Sequence, residues 1–229
     1  RNFIVGIGGS ATNDAGIGML QALGFEFYDK NNKLVGLGGK VLNEIRHIKI
    51  ENRLKELDEC KFKIACDVNN PLFGKNGAAY IYGSQKGATS EIIEELDNGL
   101  RNFSKVVKNY LSKDVANVEG AGAAGGLGYA LLLCQGHLKR GFDIVSEMVG
   151  LESAIASCDC VIVGEGKMDY QTQYGKTPYG VLQLAQKYHK NVYVQLSADY
   201  DLRPLNVKYL FFVEEFAQSI PLVNHNQIH

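Results

Sequence analysis

The chain has 229 residues, 45% of them hydrophobic and 21% charged, with a formal net charge of -1. That apolar content is enough for a sizeable core and excludes a globally disordered polypeptide, while the balanced charge removes the simplest argument for a nucleic-acid partner. Five cysteines, an odd count, sit at 60, 66, 134, 158 and 160 without the spacing of a disulfide framework or a zinc set, so buried free thiols are expected.

In chain order, Phe3 to Ile7 reads as a short buried strand running into Gly8-Gly9. Ser10 to Asp14, rich in helix-capping residues, then leads to an apolar stretch through Met19, Leu20 and Leu23. Strand, glycine turn and helix start together can hold an anion on free backbone N–H groups. Phe25 to Tyr28, the polar run 29–32 and Lys33-Leu34-Val35 look like a hairpin, and Ile45, Ile48 and Ile50 begin a further extended piece. Phe62 to Cys66 alternates as a strand and stops at Asp67. The clearest helix spans about Thr89 to Leu111, with Ile92, Ile93, Leu96, Leu100, Phe103, Val106, Val107 and Tyr110 at three- and four-residue spacing. A second helix is expected over Ala123–Gln135. Cys160 to Val163 is an apolar strand. Pro178 fits the first turn of a helix, and Val192–Leu196 and Tyr209–Val213 are further strands. The second half therefore reads as a sheet covered on both faces, and the whole as a three-layer α/β protein. A change of domain is placed near Val161, dividing the chain into a mixed α/β region, 1–160, and a partial Rossmann-like region, 161–229.

Twenty-six glycines against four prolines follow no repeat period and gather at GIGG, GLGG, GAGAAGGLG and GEG. The first candidate site is GIGGSATNDAG, 6–16, which is neither a Walker A loop nor a dinucleotide fingerprint. Ser10, Thr12, Asn13 and Asp14 can offer donors to phosphate or carboxylate, with Asp14 holding a cation or, on local pattern, capping the helix. In the second, GAGAAGGLG, Gly125 and Gly126 permit close approach of backbone to a ligand or simply to a neighbouring element. The richest is GEGKMDYQTQYGKTPYG, 164–180, projecting from the carboxyl end of a strand, where α/β proteins place ligand sites. Glu165 and Asp169 can converge on Mg²⁺ or on an acceptor hydroxyl, and Thr172 and Lys176 can meet phosphate oxygens. Asp67, Asn69 and Asn70 form a turn with a site contribution open to them. Lys86, just before the long helix, is either an anion ligand or a solvated lysine. The five histidines show no metal or triad spacing. Donors, a cation and a carboxylate are what phosphoryl transfer requires, provided the loops 8–14, 122–126 and 164–176 converge.

These stretches together resemble the bacterial glycerate kinase family: GIGGSATNDAGIGMLQALG, GLGGKVLNEI, ACDVNNPLFGKNGAA, YGSQKGA, GAGAAGGLGYAL and GEGKMDYQTQYGKTPYGVLQLAQKYHK. The likeness runs from the start of the chain to about residue 190. It implies a glycerate-kinase-like fold of two α/β domains with a cleft between them. It also implies transfer of the ATP γ-phosphate to D-glycerate with Mg²⁺, giving 2-phosphoglycerate. The matching loops bring Ser10, Thr12, Asn13, Asp14, Glu165, Asp169, Thr172 and Lys176 near the cleft, with Asp169 nearest the acceptor hydroxyl and Lys176 on phosphate or carboxylate. The partners implied are a small hydroxy acid and a nucleotide. Family members carry a segment like PDSFK and a later DGGEGT that are absent here, and VYVQLSADYDLRP departs from the family's glycine-rich strand end, so an incomplete chain is expected. With no signal peptide or bilayer-length apolar run in the sequence, a cytoplasmic setting without a membrane partner is expected, although the chain starts Arg1-Asn2 and a missing N-terminus would hide a targeting segment. The rival readings are a non-catalytic protein that retains anion or nucleotide binding, a kinase for another hydroxy acid, and an interaction protein.

Overall fold

The computed structural model describes residues 1–165, 177–196 and 209–212. The chain divides into two compact units, Arg1–Gly141 and Phe142–His229. The segment 142–160, grouped by the sequence reading with the first region, lies in the second.

In the first unit, β1 (Asn2–Gly6), β4 (Lys61–Ala65) and β5 (His137–Lys139) form a parallel sheet with β4 in the middle. Gly6 pairs with Ala65, and Ala65 with Lys139, so the three strands end at one edge and their following loops leave from it together. Phe3 stacks on Phe62 at 5.1 Å across the β1–β4 pair. A two-stranded antiparallel sheet joins β2 (Glu26–Tyr28) to β3 (His47–Lys49). The expected hairpin therefore contracts. Asp29 Oδ1 accepts the N–H groups of Asn31 and Lys33 and tightens the turn, but only Tyr28 and Leu34 bridge, and β2 takes β3 as its ladder partner.

Helices α1 (Ile17–Ala22), α2 (Ala78–Tyr82), α3 (Ser90–Leu111) and α4 (Ala123–Leu133) complete the unit. The α3 helix follows its periodicity closely. Thr89 caps it by accepting the Ile92 N–H, Glu91 lies at the positive end, Lys108 in the last turn, and Ser112 closes it in a left-handed conformation. Leu100, Phe103, Val106 and Val107 enter the core, whereas Ile92 and Tyr110 at the ends of the stripe are exposed. Gly99 lets α3 approach a 3₁₀ turn, Gly39–Asn43, so closely that an added Cβ would lie 3.1 Å from that of Leu42. The α4 helix begins later than its apolar pattern suggests. Ala124, Gly125 and Gly126 have φ of 54°, 69° and 95°, a left-handed stretch from which regular helix starts only at Leu127.

The second unit contains α5 (Gly141–Val149) except for its first residue, α6 (Leu151–Ser157), β6 (Cys160–Glu165), α7 (Thr177–Lys187), β7 (Asn191–Leu196) and β8 (Tyr209–Phe212). Its strands form a parallel sheet in the order β6-β7-β8. Ile155, Val161, Val163, Leu182, Ala185 and Val192 pack as its core, with Pro178 buried in the first turn of α7. Ile162, between the buried Val161 and Val163, is 71% exposed, so at this position the described residues cover one face of the run expected to be covered on both. Among the described residues, no helix is long and apolar enough to cross a membrane.

Candidate functional site

The loop after β1 is held by its own side chains. Asp14 Oδ1 accepts the Gly16 N–H at 3.0 Å and the Thr12 hydroxyl at 3.3 Å. The residue at the N-cap position of α1 is Gly16, left-handed at φ 66°, and no side chain caps the helix. Asp14 is thus the clasp of the loop and not the N-cap that local pattern favoured; an Asx turn satisfies its carboxylate before the helix begins.

The GAGAAGG loop packs directly onto this segment. The Ala15 N–H donates to the Gly125 carbonyl at 3.0 Å. A Cβ on Gly125 would lie 1.8 Å from the Thr12 carbonyl oxygen, and one on Gly126 would lie 2.7 Å from the Ala15 Cα. Both glycines are buried against the backbone of residues 12–15, and Gly126 also meets the Leu72 side chain. The GLGG loop arrives from another side: a Cβ on Gly39 would stand 2.3 Å from the Asn13 carbonyl oxygen. Two of the three loops expected to converge, 8–14 and 122–126, therefore do so, with GLGG as a further member. Asn13 is buried, and its Oδ1 has no hydrogen-bond partner among the described residues.

Lys86 is the member that sequence reasoning left undecided. It ends a short 3₁₀ turn, Ser84–Lys86, closed by Gly87 at φ 88°. Its Nζ donates to Ser10 Oγ at 2.8 Å and to the Thr12 carbonyl at 2.6 Å, which makes it half-buried. Desolvation lowers its pKa from the ordinary lysine value, and the negative charge of Asp14 opposes that shift. Among the described residues it forms no ion pair. Nor does any backbone N–H of residues 8–14 donate to another described group. A positive charge and a row of N–H groups without an acceptor among the described residues thus meet at one loop, a combination suited to an oxyanion.

The neighbouring loop after β4 is built mainly for shape. Asp67 Oδ1 accepts the Gly141 N–H at 2.9 Å, joining the ends of β4 and β5. Asn70 donates to the Asn76 carbonyl and accepts from Tyr82, and its own carbonyl takes the Gly122 N–H. Burial raises the pKa of the Cys66 thiol, the proximity of Asp67 adds to this, and the Val68 carbonyl that the thiol meets opposes it. Buried Asp97 locks the far side: it accepts the Gly74 N–H at 2.6 Å and Arg101 Nε at 2.8 Å, while Arg101 lies over the Phe73 ring. Arg101 is half exposed, so the carboxylate and its backbone bond carry most of the energy. Asp97→Ala is expected to cost about 2–3 kcal/mol in urea denaturation.

Of the remaining sequence candidates, Glu165 is the last residue of β6, and only its backbone is described. Asp169, Thr172 and Lys176 lie outside the described residues. No three His, Cys, Asp or Glu side chains form a metal-binding group among the described residues. A magnesium ion bound with nucleotide needs only one or two carboxylates besides phosphate oxygens, and Asp14, with one oxygen committed to the loop, fits such a role.

The sequence profile of the glycerate kinase family matches residues 1–209. The chain belongs to that family. The match extends past residue 190, the expected end of the likeness, and takes in β7. Glycerate 2-kinase of Escherichia coli (strain K12) is 50% identical over 192 residues, covering 83% of this chain and 50% of that protein. Glycerate kinase of Bacillus subtilis (strain 168) is 46% identical over 189 residues, 82% of this chain and 50% of its own length. A crystal structure provisionally named glycerate kinase 2, from Salmonella typhimurium LT2, superposes with a TM-score of 0.82 at 42% identity, over 93% of this chain and 56% of that one. The chain spans about half the length of the curated relatives it matches. The α/β fold expected from the resemblance to this family is the one observed.

Proposed function

We propose that the protein carrying this chain is a cytoplasmic glycerate kinase that transfers the γ-phosphate of ATP to D-glycerate and yields 2-phosphoglycerate. Family membership supports the reaction class. The observation in the structure that carries the reading is the clasped loop 8–14, whose N–H groups have no acceptor among the described residues, with the Lys86 ammonium bonded to it. In this reading Ser10, Thr12, Asn13 and Asp14 meet phosphate or carboxylate, and Gly125 and Gly126 keep that loop in shape. Asp169 takes the proton of the acceptor hydroxyl. The freed oxygen bonds to the γ-phosphorus as the bond from phosphorus to the bridging oxygen breaks, and that electron pair leaves with ADP. Thr172 and Lys176 meet the phosphate oxygens, and Asp14 or Glu165 would hold Mg²⁺, which would supply charge neutralisation.

The test is ADP release by the natural polypeptide with ATP, Mg²⁺ and D-glycerate, with the phosphorylated position read by phosphorus NMR. Turnover that Asp169→Ala lowers by roughly 10²- to 10⁴-fold is the expected result. Absence of glycerate-dependent ADP release would overturn the proposal, and turnover of a different hydroxy acid would reassign the acceptor.

A further inference from the structure

We propose that Lys86, with the backbone N–H groups of residues 10–14, forms an oxyanion-binding site that takes a phosphate of the nucleotide or the carboxylate of the acid. This rests on the kinase reading for the identity of its ligands and assigns Lys86 a direct ligand contact, which that reading does not give it.

Three observations meet at Lys86. The first is position: its Nζ is held at 2.8 Å from Ser10 Oγ and 2.6 Å from the Thr12 carbonyl, across 74 to 76 residues of sequence. The second is charge. A half-buried ammonium ordinarily finds a carboxylate, yet Lys86 meets only uncharged oxygens among the described residues. The nearby carboxylate, Asp14, gives one oxygen to the Thr12 hydroxyl and the Gly16 N–H. The third is the loop itself, where no backbone N–H from 8 to 14 has an intramolecular acceptor among the described residues. Gly8, Gly9 and Gly87 have open space where a side chain would stand, so the backbone around the ammonium can be approached. Desolvation of Lys86 is unfavourable in isolation, and an arriving oxyanion would relieve it.

A purely structural lysine would tie the 84–87 turn to the loop and do nothing else. Lys86→Gln separates the roles, because its amide still donates hydrogen bonds but carries no charge, while Lys86→Arg retains the charge. Affinities of the natural polypeptide for ATP, adenosine and D-glycerate are measured by calorimetry, each ligand alone. If a nucleotide phosphate is the ligand, Lys86→Gln weakens ATP roughly 10- to 100-fold, leaves adenosine unchanged, and Lys86→Arg retains most of the affinity. If the carboxylate is the ligand, the same loss appears with D-glycerate and not with ATP. Unchanged affinity for both in Lys86→Gln overturns the site.

A measurement without any variant covers the case of a misfolded Lys86→Gln: acetylation of Lys86 in the wild-type protein, followed by mass spectrometry, is expected to slow as ATP or D-glycerate saturates. Equal rates with and without both ligands overturn the site. The two proposals fail separately. Charge-dependent binding without turnover removes the kinase reading and leaves the site, whereas turnover with an indifferent Lys86 does the reverse. A wild-type protein that binds neither ligand removes both.

Discussion

Gly125→Ala is expected to lower the unfolding free energy by roughly 3 kcal/mol or more, a large part of the total for an ordinary domain. Two causes add. At φ 69° an alanine methyl is strained by about 1–2 kcal/mol, and that methyl would start 1.8 Å from the Thr12 carbonyl oxygen, which lies on backbone and cannot rotate away. The displaced segment is the one that accepts from Lys86 and contains Asp14, so ligand binding at the loop should fall with stability. Ala124→Gly, one residue earlier and also left-handed at φ 54°, is the internal control. It relieves strain and is expected to be neutral or slightly stabilising. Urea midpoints of the two variants check both; a Gly125→Ala protein as stable as wild type would show that the loop contact is not required.

Phe103→Ala is expected to cost about 3–5 kcal/mol, the usual range for emptying a buried aromatic site. Phe103 is fully buried on the inner face of α3, with its ring edge-on to Phe27 at 5.4 Å and to Tyr129 at 6.0 Å. It therefore connects β2, α3 and α4, and removing it leaves two large rings without a partner. Tyr129 is itself fully buried, and burial raises its phenol above the ordinary tyrosine value, as a dry core would. Phe103→Leu should recover much of the loss. A denaturation midpoint for Phe103→Ala close to that of wild type would contradict this account of the core.

The two variants probe different kinds of information. The α3 helix was legible because its signal is local: an apolar stripe at three- and four-residue spacing, a threonine at the start and acidic residues at the positive end are all readable within 23 residues. The strands β4, β6 and β7 were legible for the same reason, as short apolar runs bounded by polar turns. The start of α4 was not, because its alanines and leucines favour helix from Ala123 while packing against residues 12–15 forces three successive left-handed conformations. The α5 and α6 helices and the short β5 strand passed without comment in the sequence, since each offers only a few periodic positions.

The candidate site divides along the same line. By itself, the sequence determined that glycine-rich loops follow apolar strands, that Ser10, Thr12, Asn13 and Asp14 lie on one of them, and, through several long motifs together, the family. Only the tertiary structure decided that Gly125 seats against Thr12, that Asp14 clasps its own loop, and that Lys86 is drawn into it. Those contacts join residues up to 113 positions apart. No spacing rule reaches that far, because which loops meet depends on how the whole sheet and its helices close around one core.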